Sequence, residues 1–261
     1  MLILVSKSFW IYCRMIILAS LSSGMPTAVD FRQWLPPGYS AGSADESLDA
    51  WQRKVVYLLG SIHNFWARTR NEQAPDALED HTTEWESLGN ELLRHQNEAP
   101  LLCQALSAIP ANAESPFETI RYVNGPVSAA WQMLHTAYFI LTLSQPCSQT
   151  MRPTLLSTTE VSHKALFYAR KIVSISIANR CTIAWANAVQ LLTIAGQCLL
   201  EANERQACLR VLEDIQHHTG WNTRASVERL NTAWSRDLIN RGVSANITHR
   251  HSELGILLDN V

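Results

Sequence analysis

The segment Gly38 to Gly42 reads GYSAG and matches the G-x-S-x-G pattern of a hydrolase nucleophile. In such hydrolases the serine lies on a sharp turn between a buried strand and a helix, beside backbone N–H groups that stabilise an oxyanion. Here Pro36 and Pro37 stand where the strand should be, and proline is unsuited to a central strand. We therefore expect Ser40 to lie in a loop, and we expect no enzymatic activity from this motif.

Histidine pairs could indicate a metal site, and the chain has His217-His218 and His249-x-His251. Adjacent histidines on a helix point about 100° apart, so both cannot face one interior metal ion. The zinc motifs HExxH and CxxC are absent from the sequence. His217 and His218 come just before Gly220, in a predicted last helical turn, where positive charge interacts favourably with the helix dipole. We expect no metal and no other cofactor in this chain.

A third set of candidate residues would form a small-molecule pocket between two predicted helices. One helix carries aromatic and imidazole side chains at positions i, i+4 and i+7, and the other carries a stripe of neutral amides. The predicted effector-pocket residues are Trp131, His135, Tyr138, Asn187, Gln190 and Gln197. Ligand pockets combine apolar walls with a few polar groups in this way. The alternative is core packing, with the histidine and the amides hydrogen-bonded to neighbouring groups.

The helix that must position the amides is the segment Thr182 to Leu200, which carries no charged residue. Its apolar side chains cover most of a helical circumference, and its amides, together with Thr193, form one uncharged polar stripe. Three amides would be costly in lipid, and acidic residues follow the segment at once. We therefore predict a helix buried inside a folded domain and not a membrane span.

Composition limits the function further. The chain has 261 residues, of which 47% are hydrophobic, including nine tryptophans, and this is sufficient for a large core. Its 21 Lys+Arg residues against 23 Asp+Glu residues give a net charge of −2, and the four lysines are scattered. No basic surface for nucleic-acid phosphates is indicated. The six cysteines stand far apart, which is typical of reduced thiols and not of disulfides or zinc ligands.

The hydrophobic pattern predicts an all-α fold, an irregular multi-helix bundle around the central helix at about 182–200. The predicted helices cover residues 2–22, 43–66, 84–94, 126–145, 157–177 and 182–200, a segment through 207–215 that ends at Gly220, and 223–242. Asn124-Gly125-Pro126 predicts a helix start and Gly220 a left-handed helix end. We expect one domain over residues 1–242 and a loosely held tail over 243–261.

The N-terminal residues are apolar enough to be compared with a secretion signal. However, Lys7 and Arg14 interrupt the apolar run, whereas a signal segment is continuous over about 7–15 residues. A secreted or membrane-attached protein is therefore only an alternative that rests on this stretch.

Several segments resemble, in order, the regulatory domain (middle homology region) of fungal zinc binuclear cluster (Zn2Cys6) transcription factors. The segment from Ala195 to Trp234 resembles the C-terminal end of that domain, where a helix ending in "IAG" is followed by a leucine-rich helix, a "TGW" corner and a helix ending near "AW". Upstream, Pro116 to Leu143, Ser162 to Asn179 and Ser8 to Leu21 resemble its earlier helices. The resemblance covers about residues 8–236.

This resemblance implies a nuclear regulator of RNA polymerase II transcription that acts through an effector or through transcriptional partners, such as a zinc-cluster protein. The zinc cluster of the family needs six closely spaced cysteines, which this chain does not supply. We therefore expect the DNA-binding module to be absent from this chain, which would be truncated at its N-terminus relative to the family. The alternative function is a small α-helical enzyme or ligand carrier that uses the internal polar stripe.

Overall fold

The structure is a computed structural model that describes residues 2–29, 31, 48–70, 78–112, 115–146 and 155–236. The GYSAG motif with Ser40, the histidines His249 and His251, and the predicted tail over 243–261 lie outside the described residues.

Within these residues the chain forms eight α-helices, one short 3-10 helix and two strands. The helices are α1 (Leu2–Ser23), α2 (Leu48–Thr69), α3 (Leu78–Asn97), α4 (Gly125–Leu143), α5 (Leu155–Ala178), α6 (Thr182–Gly196), α7 (Ala202–Thr219) and α8 (224–236). After α3 come the 3-10 helix Leu101–Cys103 and an antiparallel pair of strands, β1 (Ser107–Ile109) and β2 (Thr119–Arg121). The predicted all-α class is confirmed. The hairpin was missed because three-residue strands are too short to show a period of two.

Local capping signals fix several helix ends as predicted. The side-chain oxygen of Asn124 accepts a hydrogen bond from the backbone N–H of Val127 at 3.0 Å, and a proline occupies the first turn of α4. Gly220 ends α7 with a φ of 75°, in the left-handed region that favours glycine. In contrast, α3 extends beyond the predicted 84–94, because its first turns carry few apolar residues to mark them.

Helix α6 lies between two hydrophobic cores and contacts α1, α4, α5 and α7. One side of α6, including Leu191 and Ala195, packs in a core shared with α1, α2, α4 and α5. The other side, including Trp185 and Leu192, packs in a second core with α7 and α8. A helix used by both cores must be apolar over a wide arc of its circumference, which is why its sequence carries no charge.

The predicted central helix ends at Gly196, four residues before Leu200. At this position the backbone comes close to the second core, since a Cβ atom on Gly196 would lie 2.9 Å from a methyl group of Leu230. The carbonyl of Gly196 accepts a hydrogen bond from the indole N–H of Trp234 at 2.9 Å. At this end α6 therefore stops, and its last carbonyl is bonded by a residue of α8.

Five of the described tryptophans donate an indole hydrogen bond to a backbone carbonyl at or near the end of a neighbouring helix. The bonds run from Trp51 to His95 (3.2 Å), from Trp85 to Leu141 (2.8 Å), from Trp131 to Cys103 (2.6 Å), from Trp185 to Ser176 (3.0 Å) and from Trp234 to Gly196 (2.9 Å). Carbonyls in the last turn of a helix lack a partner within that helix. Each indole therefore satisfies such an end while its ring fills the core.

A substitution of Gly196 by alanine tests the close packing of α6 against α8. We expect Gly196→Ala to destabilise the chain by about 1–3 kcal/mol, because the new methyl group collides with Leu230 and crowds Cys208. Chemical denaturation monitored by circular dichroism measures the change.

Gly89→Ala in α3 is the matched control, since its new methyl group would meet only Leu141 at 3.5 Å. An added helix-interior alanine at such a site should be neutral or stabilising by roughly 0.5–1 kcal/mol. If both variants change stability alike, the tight contact at Gly196 is contradicted.

Candidate functional site

The aromatic residues predicted on α4 do lie along one face of that helix. The ring centroids of Trp131 and His135 are 5.6 Å apart, and His135 is 6.2 Å from Tyr168 of α5. Tyr138 stacks almost parallel on Tyr168, with centroids 5.0 Å apart. The predicted residues of α4 are therefore brought together, with Tyr168 as a member that the sequence analysis did not identify.

The row of rings continues through Trp131 toward the first half of the chain. The indole of Trp131 stacks on Tyr122, with centroids 5.7 Å apart, and lies 5.6 Å from Trp51 of α2. Trp51 in turn stacks on His95 of α3 at 5.2 Å. A continuous row of aromatic and imidazole rings thus connects α3, α2, α4 and α5.

Trp51 and His95 are joined by reciprocal hydrogen bonds. The Trp51 indole donates to the carbonyl of His95 at 3.2 Å, and the His95 Nε2 lies 3.1 Å from the carbonyl of Trp51. A carbonyl only accepts, so Nε2 of His95 carries the proton. Burial lowers the pKa of His95 to about 4, which keeps the ring neutral at physiological pH.

His135 and Tyr138 leave polar atoms without a protein partner. The Nδ1 atom of His135 and the hydroxyl of Tyr138 are buried and form no hydrogen bond with any described residue. His135 is only 8% exposed, and its burial lowers its pKa to about 3. A buried polar atom without a partner is unfavourable unless water or a ligand binds it. This part of the predicted site therefore contains a neutral imidazole nitrogen and a hydroxyl that are not hydrogen-bonded to any described residue.

The amides predicted on α6 are used within their own helix. Asn187 donates its side-chain N–H to the carbonyl of Ile183 at 2.9 Å, and Gln197 donates to the carbonyl of Thr193 at 3.0 Å. Gln190 is half-buried. Among the described residues, no hydrogen bond links these amides to the rings of α4. The aromatic residues of the predicted pocket thus contact Tyr168 of α5, and they form no hydrogen bond with the described amides of the pocket.

Among the cavities of the described part of the chain, two are relevant here, and none of the six predicted residues lines either of them. One, of about 600 Å³, lies between α2 and α3, and the other, of about 480 Å³, lies between α5 and α7. The first cavity was not predicted from the sequence. Its signal was a polar edge on α2, with Tyr57, Ser61, Asn64 and Arg68 at helical spacing beside an otherwise apolar face.

The thiols and histidines of the described residues do not cluster as metal ligands would. In the described part of the chain, no group of three or more His, Cys, Asp or Glu side chains is placed to hold a metal ion. His217 and His218 lie in the last turn of α7 as predicted. The five described cysteines are free, and burial raises the pKa of Cys208 to about 12. None of the described helices has the length and apolar character needed to cross a membrane.

Comparison with known proteins gives one informative similarity. Transcription activator AMTR1 from Alternaria alternata is 40% identical to this chain over 70 residues, which are 27% of the chain. The matched residues span only 9% of the activator's length. No protein-family model matches the chain, and no solved structure matches it. The chain is therefore similar to a fungal transcription activator over about a quarter of its own length.

The buried state of His135 predicts a pH dependence of stability. Burial, with a smaller contribution from the charge of Lys171, lowers the pKa of His135 from 6.5 to about 3. Between these values the unfolded chain binds a proton that the folded chain does not, so stability is complete above about pH 6.5 and falls as the pH decreases. In His135→Phe, the free energy of unfolding should depend less on pH between about 6 and 4, by up to about 1.4 kcal/mol per pH unit.

Denaturation at several pH values measures this slope. Tyr168→Phe is the control, because it changes a ring in the same row without removing an imidazole. Equal slopes for the wild type and His135→Phe would show that His135 is not held neutral by burial.

Proposed function

We propose that this chain is the regulatory domain of a fungal transcription factor of the zinc-cluster class. The similarity to Transcription activator AMTR1 is the observation that carries the proposal, and the all-α fold agrees with the resemblance to the middle homology region. In this role the domain acts in the nucleus on RNA polymerase II transcription. It restrains or relays activity through transcriptional partners or a small-molecule effector, and it catalyses no reaction.

The charge distribution supports action through partners and not through direct contact with DNA. The net charge is −2, and the four lysines are scattered along the sequence. DNA-binding surfaces need many Lys and Arg side chains to neutralise phosphates. We propose that the DNA-binding module belongs to a different polypeptide segment or to a partner such as a zinc-cluster protein.

A group of exposed leucine and isoleucine side chains supports a protein partner. They belong to the segment from the end of α3 to β1, which we call the leucine segment (93–109). Its exposed members are Leu93 (51%), Leu101 (81%), Leu102 (65%), Leu106 (69%) and Ile109 (56%). Large apolar side chains are not normally concentrated on one exposed segment unless another molecule covers them. We propose that a transcriptional partner binds here.

The predicted effector pocket remains a second element of the proposal. The unpaired Nδ1 of His135 and hydroxyl of Tyr138 support a small polar effector beside Trp131. The alternative of an enzyme or carrier that uses the polar stripe of α6 gains no such support, because Asn187 and Gln197 donate to carbonyls of their own helix.

Fusion to an unrelated DNA-binding domain tests the proposed function. The full chain, tethered upstream of a reporter gene in a fungal cell, should change transcription relative to the DNA-binding domain alone. The double substitution Leu101→Glu and Leu102→Glu should abolish most of this change, since losing two leucines that the partner would cover weakens its binding by at least about tenfold. Reporter activity and protein abundance are measured together.

Leu200→Glu is the control, because Leu200 is 44% exposed and lies outside the leucine segment. A tethered chain that leaves transcription unchanged would contradict the proposed function. An equal effect of Leu200→Glu and of the double substitution would contradict the leucine segment as the partner site.

A further inference from the structure

The first helix, α1, exposes a face that carries no charge. It packs on α2 and α6 through its opposite side, where Cys13 and Ile17 are buried. Every exposed side chain of α1 that the structure describes is uncharged. These residues, which we call the α1 face, are Ser8, Ile11, Tyr12, Met15, Ala19, Ser22 and Ser23. The exposed face of a helix normally carries charged side chains, as α3 does with Glu79 and Glu86. Solvation alone therefore does not explain the composition of the α1 face.

Large apolar side chains occupy the N-terminal half of the α1 face. Ile11, Tyr12 and Met15 are 51%, 57% and 61% exposed. Because they stand one, three and four positions apart on a helix, they form one continuous patch. The C-terminal half of the face has only small side chains, from Ala19 to Ser23. A continuous exposed apolar patch is typical of a surface that contacts another molecule.

The residues of the α1 face have the spacing of a seam between two packed helices. Ser8, Tyr12, Met15, Ala19 and Ser22 are separated alternately by four and three residues. Such a repeat averages about 3.5 residues per turn and keeps one stripe of a helix against a partner helix. At 1.5 Å per residue the stripe is about 21 Å long. The α1 face is therefore suited to another helix that lies along it.

The order of large and small side chains makes the α1 face complementary to itself. When two copies of α1 pair in antiparallel orientation about Met15, Ile11 of each copy lies opposite Ala19 of the other, and Ser8 lies opposite Ser22. Each large side chain then packs over a small one, and a two-fold axis produces every contact twice. In a parallel pair, large residues would meet large ones and small residues small ones. The helices would then be held apart at one end and leave a gap at the other.

The lack of charge also selects a second copy over a charged partner. A two-fold axis brings each charge of a surface close to the same charge of the other copy, so a charged face repels itself. No exposed residue of the described α1 face would cause such repulsion. A partner helix with a charged surface would instead lose the hydration of its charges without gaining an ion pair.

We propose that the α1 face binds a second copy of this chain, with the two α1 helices antiparallel about a two-fold axis near Met15. This contact is separate from the leucine segment (93–109). The proposal goes beyond the transcriptional role, and association is measured without a reporter, so that either proposal can fail alone.

The contact area determines how strong this dimer is. A helix is about 10 Å wide, so a stripe about 21 Å long buries on the order of a few hundred Å² on each copy. Stable interfaces bury about 800 Å² on each partner. The dimer is therefore weak and reversible, with a dissociation constant on the order of 10–100 μM.

Sedimentation velocity on the full chain of 261 residues tests the association. The sedimentation coefficient should rise from that of a monomer to that of a dimer between about tenfold below and about tenfold above this dissociation constant. A chain that stays monomeric over the whole range would overturn the proposal and leave the transcriptional role unaffected.

Charged substitutions locate the contact. Met15→Glu places two like charges beside the two-fold axis, and Tyr12→Glu buries a carboxylate without a partner. Each should weaken association by at least about tenfold. Both side chains are more than half exposed, so the monomer should remain folded, which circular dichroism verifies.

The double substitution Leu101→Glu and Leu102→Glu is the matched control, because it adds the same charge at exposed leucines outside α1. It should leave association unchanged. Dimers that survive both α1 substitutions, or that are lost in the leucine control, would place the contact elsewhere and overturn the proposal.

Disulfide trapping tests the antiparallel orientation. Under mild oxidation with diamide, Met15→Cys should form a covalent dimer with itself, because the two residues face each other at the axis. Ser22→Cys should not link to itself but should link to Ser8→Cys when the two variants are mixed. The wild-type chain corrects for its native thiols. Self-linking of Ser22→Cys without self-linking of Met15→Cys would contradict the antiparallel dimer.

Discussion

The hydrogen bonds from tryptophan indoles to helix ends are the interaction on which this fold depends. A bundle of irregular helices brings helix ends into its interior, and each end exposes carbonyl groups that its own helix cannot satisfy. Trp51, Trp85, Trp131, Trp185 and Trp234 each donate to such a carbonyl on another element. The same side chains supply large apolar rings to the cores. Loss of one of these indoles would therefore remove a helix cap and core packing together.

Helix α6 shows why the two cores are inseparable. Leu191 and Ala195 pack with α2 and α4, while Trp185 and Leu192 pack with α7 and α8. A charged side chain on either face would be buried without a partner, which is strongly unfavourable. The polar atoms that α6 does carry avoid this penalty by binding their own backbone, as Thr193 does by donating to Val189 at 2.6 Å. Helix α6 is thus uncharged because it packs in both cores, and no functional site is needed to explain this.

The first half of the chain combines rigid contacts with open surface. The row of rings from His95 through Trp51 and Trp131 to Tyr168 links α3 to α5 across α2 and α4. Next to it lie the cavity between α2 and α3 and the exposed leucine segment (93–109). Helix α3 takes part in both features, because it forms one wall of the cavity and leads into the leucine segment.

Part of the candidate site was predictable from the sequence, since Trp131, His135 and Tyr138 follow helical spacing and do share one face of α4. Their main partner, Tyr168, was not predicted, because it belongs to a different helix and no local pattern connects the two. The amides of α6 were placed on a stripe, but their hydrogen bonds depend on the side-chain conformation chosen in the folded state. The cavity between α2 and α3 was missed for a similar reason, since a cavity exists only where two separate helices diverge.

The sequence by itself determined the helices, the neutral character of α6 and local ends such as Asn124 and Gly220, because these depend on interactions among residues three or four positions apart. The tertiary structure decided which aromatic rings are in contact, where α6 ends and where the cavity between α2 and α3 lies. Trp234 reaches Gly196 from 38 residues away, and Trp85 reaches Leu141 from 56 residues away. Contacts over such separations depend on how the whole chain packs, and the periodicity of a single helix does not predict them.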